Sequence, residues 1–490
     1  MHEPDGAEDG SAPLKPKRTT KYADRERGKS RAGPLPLRSA LRRIAVGGSL
    51  AMVYTTGVSS PASTEFFRSL GADEWHFGLI GGIPLVLLAM QYIGAAFVNR
   101  VERRAPTFFF CLIACRLVYL PIAFVPWTRL GIPTAAAMAV VLSLLAFSAA
   151  VHNYAVPFWF SWMADLVPRP ILNRYWGRRQ VAMHVTWAFS YLAVTAYLYY
   201  TRQPIAVVYR ILVAAAVTAG IADIALFFRI PEPPNLMEPD LPFWTALREP
   251  FRDPAFRSFV RYSCAWSFAA MLAASFMMLY VLKVLKLAPW KTALIWCLQG
   301  IGVGAVAAGW GRIADRHGHR PILNICITLK SLIVIVFILL TPSNVVWLLP
   351  LALLPDGMLN SGTMVASNGY MLSYAPQRNR SMFIASITGL AGLAGGLGAV
   401  AGGALLKAVG PGVWRWMGRD WNAYHAVFAL SMVLRWCCIP LARRIREPEA
   451  TRSLHVLNDV LGELPIRFLR FPVGLYRRFV PGLDDRTPRS

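Results

Sequence analysis

Arg229-Ile230-Pro231-Glu232-Pro233 and, 215 positions further on, Arg444-Ile445-Arg446-Glu447-Pro448 are two copies of one pattern, each standing just after a long apolar run. A second pair keeps nearly the same offset, since Asn99, Arg100 and Arg104 return 216 positions later as Asp315, Arg316 and Arg320. A period this long exceeds any solenoid unit and marks a duplicated domain, so the chain divides into two related halves.

Composition says where those halves reside. Of the 490 residues 55% are apolar and 16% charged, and the mean hydropathy is +0.43, a balance that soluble domains of this length do not support because their surfaces need more charge. The expected fold class is therefore an all-α polytopic membrane protein. Runs of roughly 20 apolar residues predict twelve transmembrane helices near 42–64, 76–98, 107–126, 133–163, 181–200, 204–228, 257–282, 290–311, 321–341, 345–371, 382–408 and 421–442. Spans four and ten look overlong, as tilted or protruding helices do. The pattern predicts an N-terminal six-helix bundle over 39–229 and a C-terminal one over 257–448, with a proline-rich linker at 230–256 (Pro231, Pro233, Pro234, Pro239, Pro242, Pro250). Residues 1–38 read as a disordered basic tail without a signal peptide. Residues 449–490 form a second basic tail, whose alternation of bulky apolar residues with Arg467, Arg470, Arg477 and Arg478 suits either an anionic membrane surface or water.

Arginine placement orients the chain. Arg42, Arg43, Arg100, Arg103, Arg104, Arg174, Arg178, Arg179, Arg312, Arg316, Arg320, Arg378, Arg380, Arg443, Arg444 and Arg446 fall on one side, whereas the other keeps scattered exceptions such as Arg68, Arg129, Lys286 and Arg415. The positive-inside rule makes the first side cytoplasmic, with both termini there, and places the chain in the plasma or inner cell membrane. The same bias accounts for most of the net charge of +25, which needs no nucleic acid. The seven cysteines, among them Cys111, Cys115, Cys264, Cys297, Cys326 and the Cys437-Cys438 pair, lie in or beside apolar runs without zinc spacing and read as small buried residues. No metal, cofactor or catalytic constellation stands out. Gly28-Lys29-Ser30 lacks the preceding glycine of a phosphate loop, and the Gly392, Gly396, Gly398, Gly402 and Gly403 series has the spacing of close helix packing.

Gly311-Arg312-Ile313-Ala314-Asp315-Arg316-His317-Gly318-His319-Arg320, after span eight, closely resembles the signature loop of the major facilitator superfamily. The resemblance covers about residues 40–448 and leaves the tails without a counterpart. Physically, Gly311 and Gly318 would permit close packing and a tight turn, and Asp315 suits a positive helix N-terminus. In the family this loop latches the cytoplasmic gate. The N-terminal copy departs from it, with Asn99 in place of the acid and Glu102 in place of the turn glycine, which weakens a charge-dependent latch there. Pro168 to Arg174 and Pro376 to Arg380 are a further, degraded pair. The resemblance implies two six-helix bundles rocking about a central site lined by spans one, four, seven and ten, with spans three, six, nine and twelve outside.

Within that implied layout span ten carries the leading candidates. Asp356, Asn360, Thr363 and Ser367 share one helix face, and a carboxylate at that depth is costly unless it faces water or a partner. Asp356 is either a proton carrier or substrate anchor, or a carboxyl that only holds helices together; Pro355 beside it opens the backbone or kinks it. His152 and Asn153 of span four, Tyr54 of span one, Gln91 of span two, Gln299 of span eight and Trp266 of span seven complete a candidate substrate shell. Hydroxyls such as Thr56, Ser60 and Ser63 are expected to bond back to their own helix. Arg116 and Lys330, ten and nine residues after Pro106 and Pro321, read as pseudo-symmetric buried cations. Their peripheral spans favour pairing with carbonyls or acids such as Asp223 over anion binding, and Arg435 is read likewise. Glu65 is a gate residue or a solvated carboxylate.

The resemblance thus implies a monomeric, non-enzymatic transporter moving a small organic solute by alternating access. Span five, with Thr186, Trp187, Ser190 and Tyr191, lacks the Gly-Pro signature of proton-exchanging drug antiporters, leaving symport with protons or facilitated diffusion. The alternatives are a lipid or lipid-precursor flippase of the same fold and a membrane sensor that no longer transports.

Overall fold

The computed structural model describes residues 36–98, 100–127, 130–168, 172–235, 249–374, 380–410, 412–416, 419–445 and 447. The N-terminal tail, the centre of the linker, the C-terminal tail, Asn99, Arg129, Arg378, Arg446 and Pro448 lie outside the described residues, as do the side chains of Arg174 and Arg380.

Twelve spans are present. Span one is Leu37–Ser59 continued by Pro61–Ser69; span two is Glu74–Val86 and Met90–Val98 joined by the 3-10 turn Leu87–Ala89; span three is Ala105–Leu117 and Tyr119–Phe124. Spans four to six are Thr134–Leu166, Leu172–Tyr200 and Ile205–Phe227. Spans seven to twelve are Pro254–Lys283, Pro289–His317, His319–Leu339, Val345–Tyr374, Arg380–Val409 and Ala423–Arg443. Among the described residues eleven are long and apolar enough to cross a membrane; the first helix, with Arg38, Arg42 and Arg43 at its start, falls short by composition.

Prolines set the breaks. Ser60 leaves the helix at φ −72°, ψ 171°, because Pro61 excludes the helical region for the residue before it. Span three breaks after Leu117, four residues before Pro121, whose ring clashes with the carbonyl at that position. Two expected edges move. Span five starts at 172 rather than 181, and span eight runs to His317 rather than 311. The signature stretch is therefore mostly helix, and the turn into span nine is Gly318 alone, at φ +84°, a conformation side chains resist. Between spans eleven and twelve the chain forms an unanticipated antiparallel pair, β1 (Val413–Trp416) and β2 (Arg419–Asn422), with Val413 opposite Asn422.

The repeated pattern has a structural meaning. The backbone N–H groups of Arg104 and Ala105, at the start of span three, donate to the Glu232 carboxylate, the second at 3.2 Å. In the second half His319 and Arg320 N–H donate to Glu447 at 3.0 and 2.6 Å. Each glutamate thus satisfies orphan donors and the positive end of a helix, and the isoleucine of each copy, Ile230 and Ile445, is buried. The motif is a staple from the end of a half's sixth span to the start of its third. Glu447 takes the helix terminus that suited Asp315, and Asp315 is exposed.

The start of span one at Leu37, the end of span twelve at Arg443 and these staples share one face, here the terminal face; the opposite one is distal. Toward the distal face one apolar cluster runs through both halves, from Phe66, Phe77 and Tyr209 to Phe276, Tyr280 and Phe428. Toward the terminal face the halves keep separate clusters, around Phe158 and Trp162 in one and Phe259 and Tyr370 in the other. Spans two and eleven meet backbone to backbone, where a Cβ on Gly82 would lie 2.8 Å from the Gly396 oxygen; one on Gly402 would lie 2.3 Å from the Leu272 oxygen of span seven.

Candidate functional site

Small residues bring the polar groups of the C-terminal half together. A Cβ on Gly357 would stand 2.0 Å from the Gln299 oxygen, and one on Gly302 2.3 Å from the Leu354 oxygen, so spans eight and ten touch through their backbones. Gln299 Nε2 consequently donates to Asp356 Oδ2 at 2.7 Å, and Asn360 Nδ2, one turn on, donates to the same oxygen at 3.3 Å. Lys330 of span nine donates to Asn360 Oδ1, with its Nζ 3.7 Å from Asp356 Oδ1. Trp266 lies under Arg435, 5.7 Å from ring centroid to guanidinium, and Arg435 donates from Nη2 to the Ala270 oxygen at 3.1 Å. Lys330 and Arg435 sit on the spans expected to be peripheral, yet one reaches the Asp356 cluster and the other reaches Trp266. Long side chains carry charge well away from their own helix axis.

The N-terminal half gathers a different set. Arg116 Nη2 lies 2.6 Å from Asp223 Oδ2, its Nη1 donates to the Gly220 oxygen, and both side chains are buried. Gly220 is required there, since a Cβ would fall 2.8 Å from Arg116 Cδ. Tyr54 lies beneath Arg116 at 5.1 Å and meets Tyr119 edge-on, so it belongs to this pair rather than to Asp356. Gln91 Nε2 donates to Asn153 Oδ1 at 3.1 Å and its own carbonyl accepts from Thr388 Oγ1 at 3.3 Å, linking spans two, four and eleven across the two halves. His152 is exposed and joins none of these hydrogen bonds. Thr56, Ser63 and Thr363 bond back to their own helices.

Sequence reasoning missed Thr388, Tyr92 and the setting of Arg179. Tyr92 donates to the Ser386 oxygen at 3.0 Å, and Arg179 lies 5.0 and 5.2 Å from the rings of Trp159 and Trp176. The sequence marks Arg179 as orienting charge, and the tryptophans near it, Trp159 and Trp176, are the signal of its setting.

On the terminal face Arg104 is fully buried and donates to Asp165 at 2.5 Å, Ser161 at 2.8 Å and the Pro233 oxygen at 2.8 Å. Its counterpart Arg320 donates to the Ile445 oxygen at 3.4 Å. Arg100, Arg312 and Arg316 are exposed, and Gly311 has open space where a Cβ would project, so no close packing explains it.

The distal face carries charged contacts between the halves. Glu74 of span two accepts from Lys283 of span seven and, at 3.0 Å, from the Tyr424 hydroxyl of span twelve. Asp73 lies 3.9 Å from Lys407 of span eleven. Burial pushes the Asp73 carboxyl up, but the backbone and ring hydrogen bonds of His76 outweigh it and hold the group below its usual range. Glu65 pairs with Arg68 at 2.6 Å, and both line a cavity of about 300 Å³ with Asp73, Glu74 and Lys283, remote from Asp356.

The Major Facilitator Superfamily model matches residues 44–402 and 298–472. No curated protein matches the sequence. Solved structures share the fold at low identity. A mutant of the nucleoside transporter NupG superposes with a TM-score of 0.65 at 10% identity, covering 83% of this chain and 100% of that one. A D-xylose-proton symporter gives 0.59 at 16%, covering 85% and 98%. A bacterial homologue of the human lysosomal transporter Spinster, inward-facing and unoccupied, gives 0.55 at 17%, covering 84% and 95%. With its duplicated six-span halves, its signature turn at Gly318 and a family match over most of its length, the chain belongs to the Major Facilitator Superfamily of membrane transporters.

Proposed function

We propose that the protein moves a small organic solute across the cell membrane by alternating access, with the terminal face in the cytoplasm and Asp356 responding to protons. One observation carries the coupling: Asp356 shares its two oxygens among Gln299, Asn360 and Lys330, groups from spans eight, ten and nine. Adding a proton to that carboxylate removes half of an ion pair and weakens the tie among three helices, so proton occupancy and helix arrangement become linked.

The distribution of contacts supports the alternating part. Apolar packing and the Glu74–Lys283 and Asp73–Lys407 pairs join the halves distally, while their terminal-face clusters are separate. On this reading the arrangement converts to its opposite by releasing the distal contacts. Facilitated diffusion is the corresponding reading if Asp356 only ties helices together.

The test starts from a solute library screened for thermal stabilisation of detergent-solubilised protein, since a ligand at a hundred times its Kd adds about 2.7 kcal/mol. The best stabiliser is then followed in proteoliposomes. Counterflow is expected in the wild type and in Asp356→Asn, whereas accumulation driven by an imposed pH gradient is expected in the wild type alone. Equal pH dependence in both refutes the role of Asp356, and absence of counterflow refutes transport of that solute.

A further inference from the structure

Arg435 has no carboxylate of its own in contact with it among the described residues. Its side chain is 4% exposed, Nε is buried without a hydrogen-bond partner, and the donor that is used goes to the Ala270 oxygen. Among the described residues no carboxylate lies within 4 Å of it. Asp356, the carboxylate of this region, is committed to Lys330 and two amide donors. The C-terminal half therefore sets two cations, Lys330 and Arg435, against one acid, and only Lys330 lies within 4 Å of it among the described residues. A guanidinium withdrawn from water needs an opposite charge or a full set of acceptors, and the face of Trp266 supplies only part of that. Trp266 itself is only half-buried, so the arginine-capped ring borders open space.

We infer that the solute carries an anionic group, a carboxylate or phosphate, which docks on Arg435 beside Trp266 while the Asp356–Lys330 pair forms a neutral wall of the same site. This rests on the reading of that region as the transport site. Arg179 extends the pattern toward the terminal face. It too has a buried Nε without a partner, no carboxylate within 4 Å among the described residues, and two tryptophan rings against it.

The charge of the site can be read before any solute is known. In full-length protein with the seven native cysteines replaced by alanine, Trp266→Cys is reacted with a negatively charged and a positively charged methanethiosulfonate. The anionic reagent should react faster, relative to an exposed reference cysteine. Arg435→Gln should lower that preference by at least about tenfold, because one unit charge at this range shifts both rates in opposite directions, and Arg435→Lys should preserve it. A preference for the cationic reagent, or one indifferent to Arg435→Gln, overturns the inference. On the otherwise native chain, thermal stabilisation is compared for phenylacetate, phenyl phosphate and the neutral phenylacetamide at constant ionic strength, and for dioctanoyl phosphatidic acid against dioctanoyl phosphatidylcholine. Stabilisation by a soluble anion that is lost in Arg435→Gln supports the assignment. Equal stabilisation by the amide overturns it, and stabilisation by phosphatidic acid alone moves the anion from a solute to a lipid. Since the reagent ratio requires no transport, failure of counterflow leaves it readable.

Discussion

Both halves bury a cation on their third span, and they treat it in opposite ways. In the first half Arg116 is closed onto Asp223 and the Gly220 oxygen, with spans three and six supplying the ion pair and Tyr54 of span one lying against it. In the second, Lys330 reaches Asp356 and Asn360 of span ten, and Gln299 of span eight donates to the same carboxylate. The acid has changed its span, from six in one half to ten in the other. A buried pair confined to two neighbouring helices acts as a bolt, whereas a carboxylate shared by three helices has an arrangement that one proton can alter. Descendants of one duplicated domain have thus kept a charge at a matching place and given it different work.

The largest effect expected from breaking this comparison is on the bolt. Arg116→Ala should cost about 3–5 kcal/mol by leaving Asp223 buried and unpaired, while Arg116→Leu with Asp223→Leu should recover most of that; thermal unfolding in detergent measures both. A single-variant cost below about 1 kcal/mol would erase the distinction between the halves. The staples come next. Glu447→Ala should cost about 1–2 kcal/mol through loss of a charged helix cap, and Glu232→Ala should cost more, because fully buried Arg104 also leans on that segment. Asp356→Asn should cost about 1 kcal/mol, less than the bolt because the Lys330 pair is longer, at 3.7 Å, and partly exposed while an amide still accepts from Gln299, and this is the variant whose pH-driven accumulation is expected to vanish. The smallest effect belongs to the distal contact between the halves. Glu74→Gln should shift the conformational equilibrium by about two- to fivefold, the value of a partly exposed ion pair, read as faster labelling of Ser275→Cys, whose side chain faces Gly81.

Much of the fold was legible because apolar content marks which residues sit in the membrane. Eleven expected spans overlap helices that satisfy the length and composition of a crossing, and the repeat announced the two halves. Edges were less legible where polar residues continue a helix beyond the apolar run, as in spans five and eight. The β1–β2 pair is too short to show a period, and the break at Ser60 was carried by Pro61 inside an otherwise uninterrupted run. For the candidate site, depth was readable and direction was not. The sequence offered Asp356 and Asn360 as one helix face and Gln299, Gln91 and Asn153 only as members of a shell; which of them hydrogen-bond to which came from the packing of spans eight and ten and of spans two and four. Lys330 and Arg435 do pair with an acid and a carbonyl as expected, Asp356 and the Ala270 oxygen, but that their long side chains also reach Asn360 and Trp266 does not follow from the position of their helices. Tyr54 went the other way, toward Arg116.

The glutamate staples also bear on how the protein is made. In both halves the carboxylate lies 128 residues after the first backbone donor it caps, so the start of the third span leaves the ribosome long before its partner exists. Each half can close only once its sixth span has been inserted, and the Ile-x-Glu-Pro segment that follows is the last piece needed. Synthesis would then deliver two units that lock in succession, the first finished before the second begins, which makes the end of the sixth span the natural checkpoint of assembly.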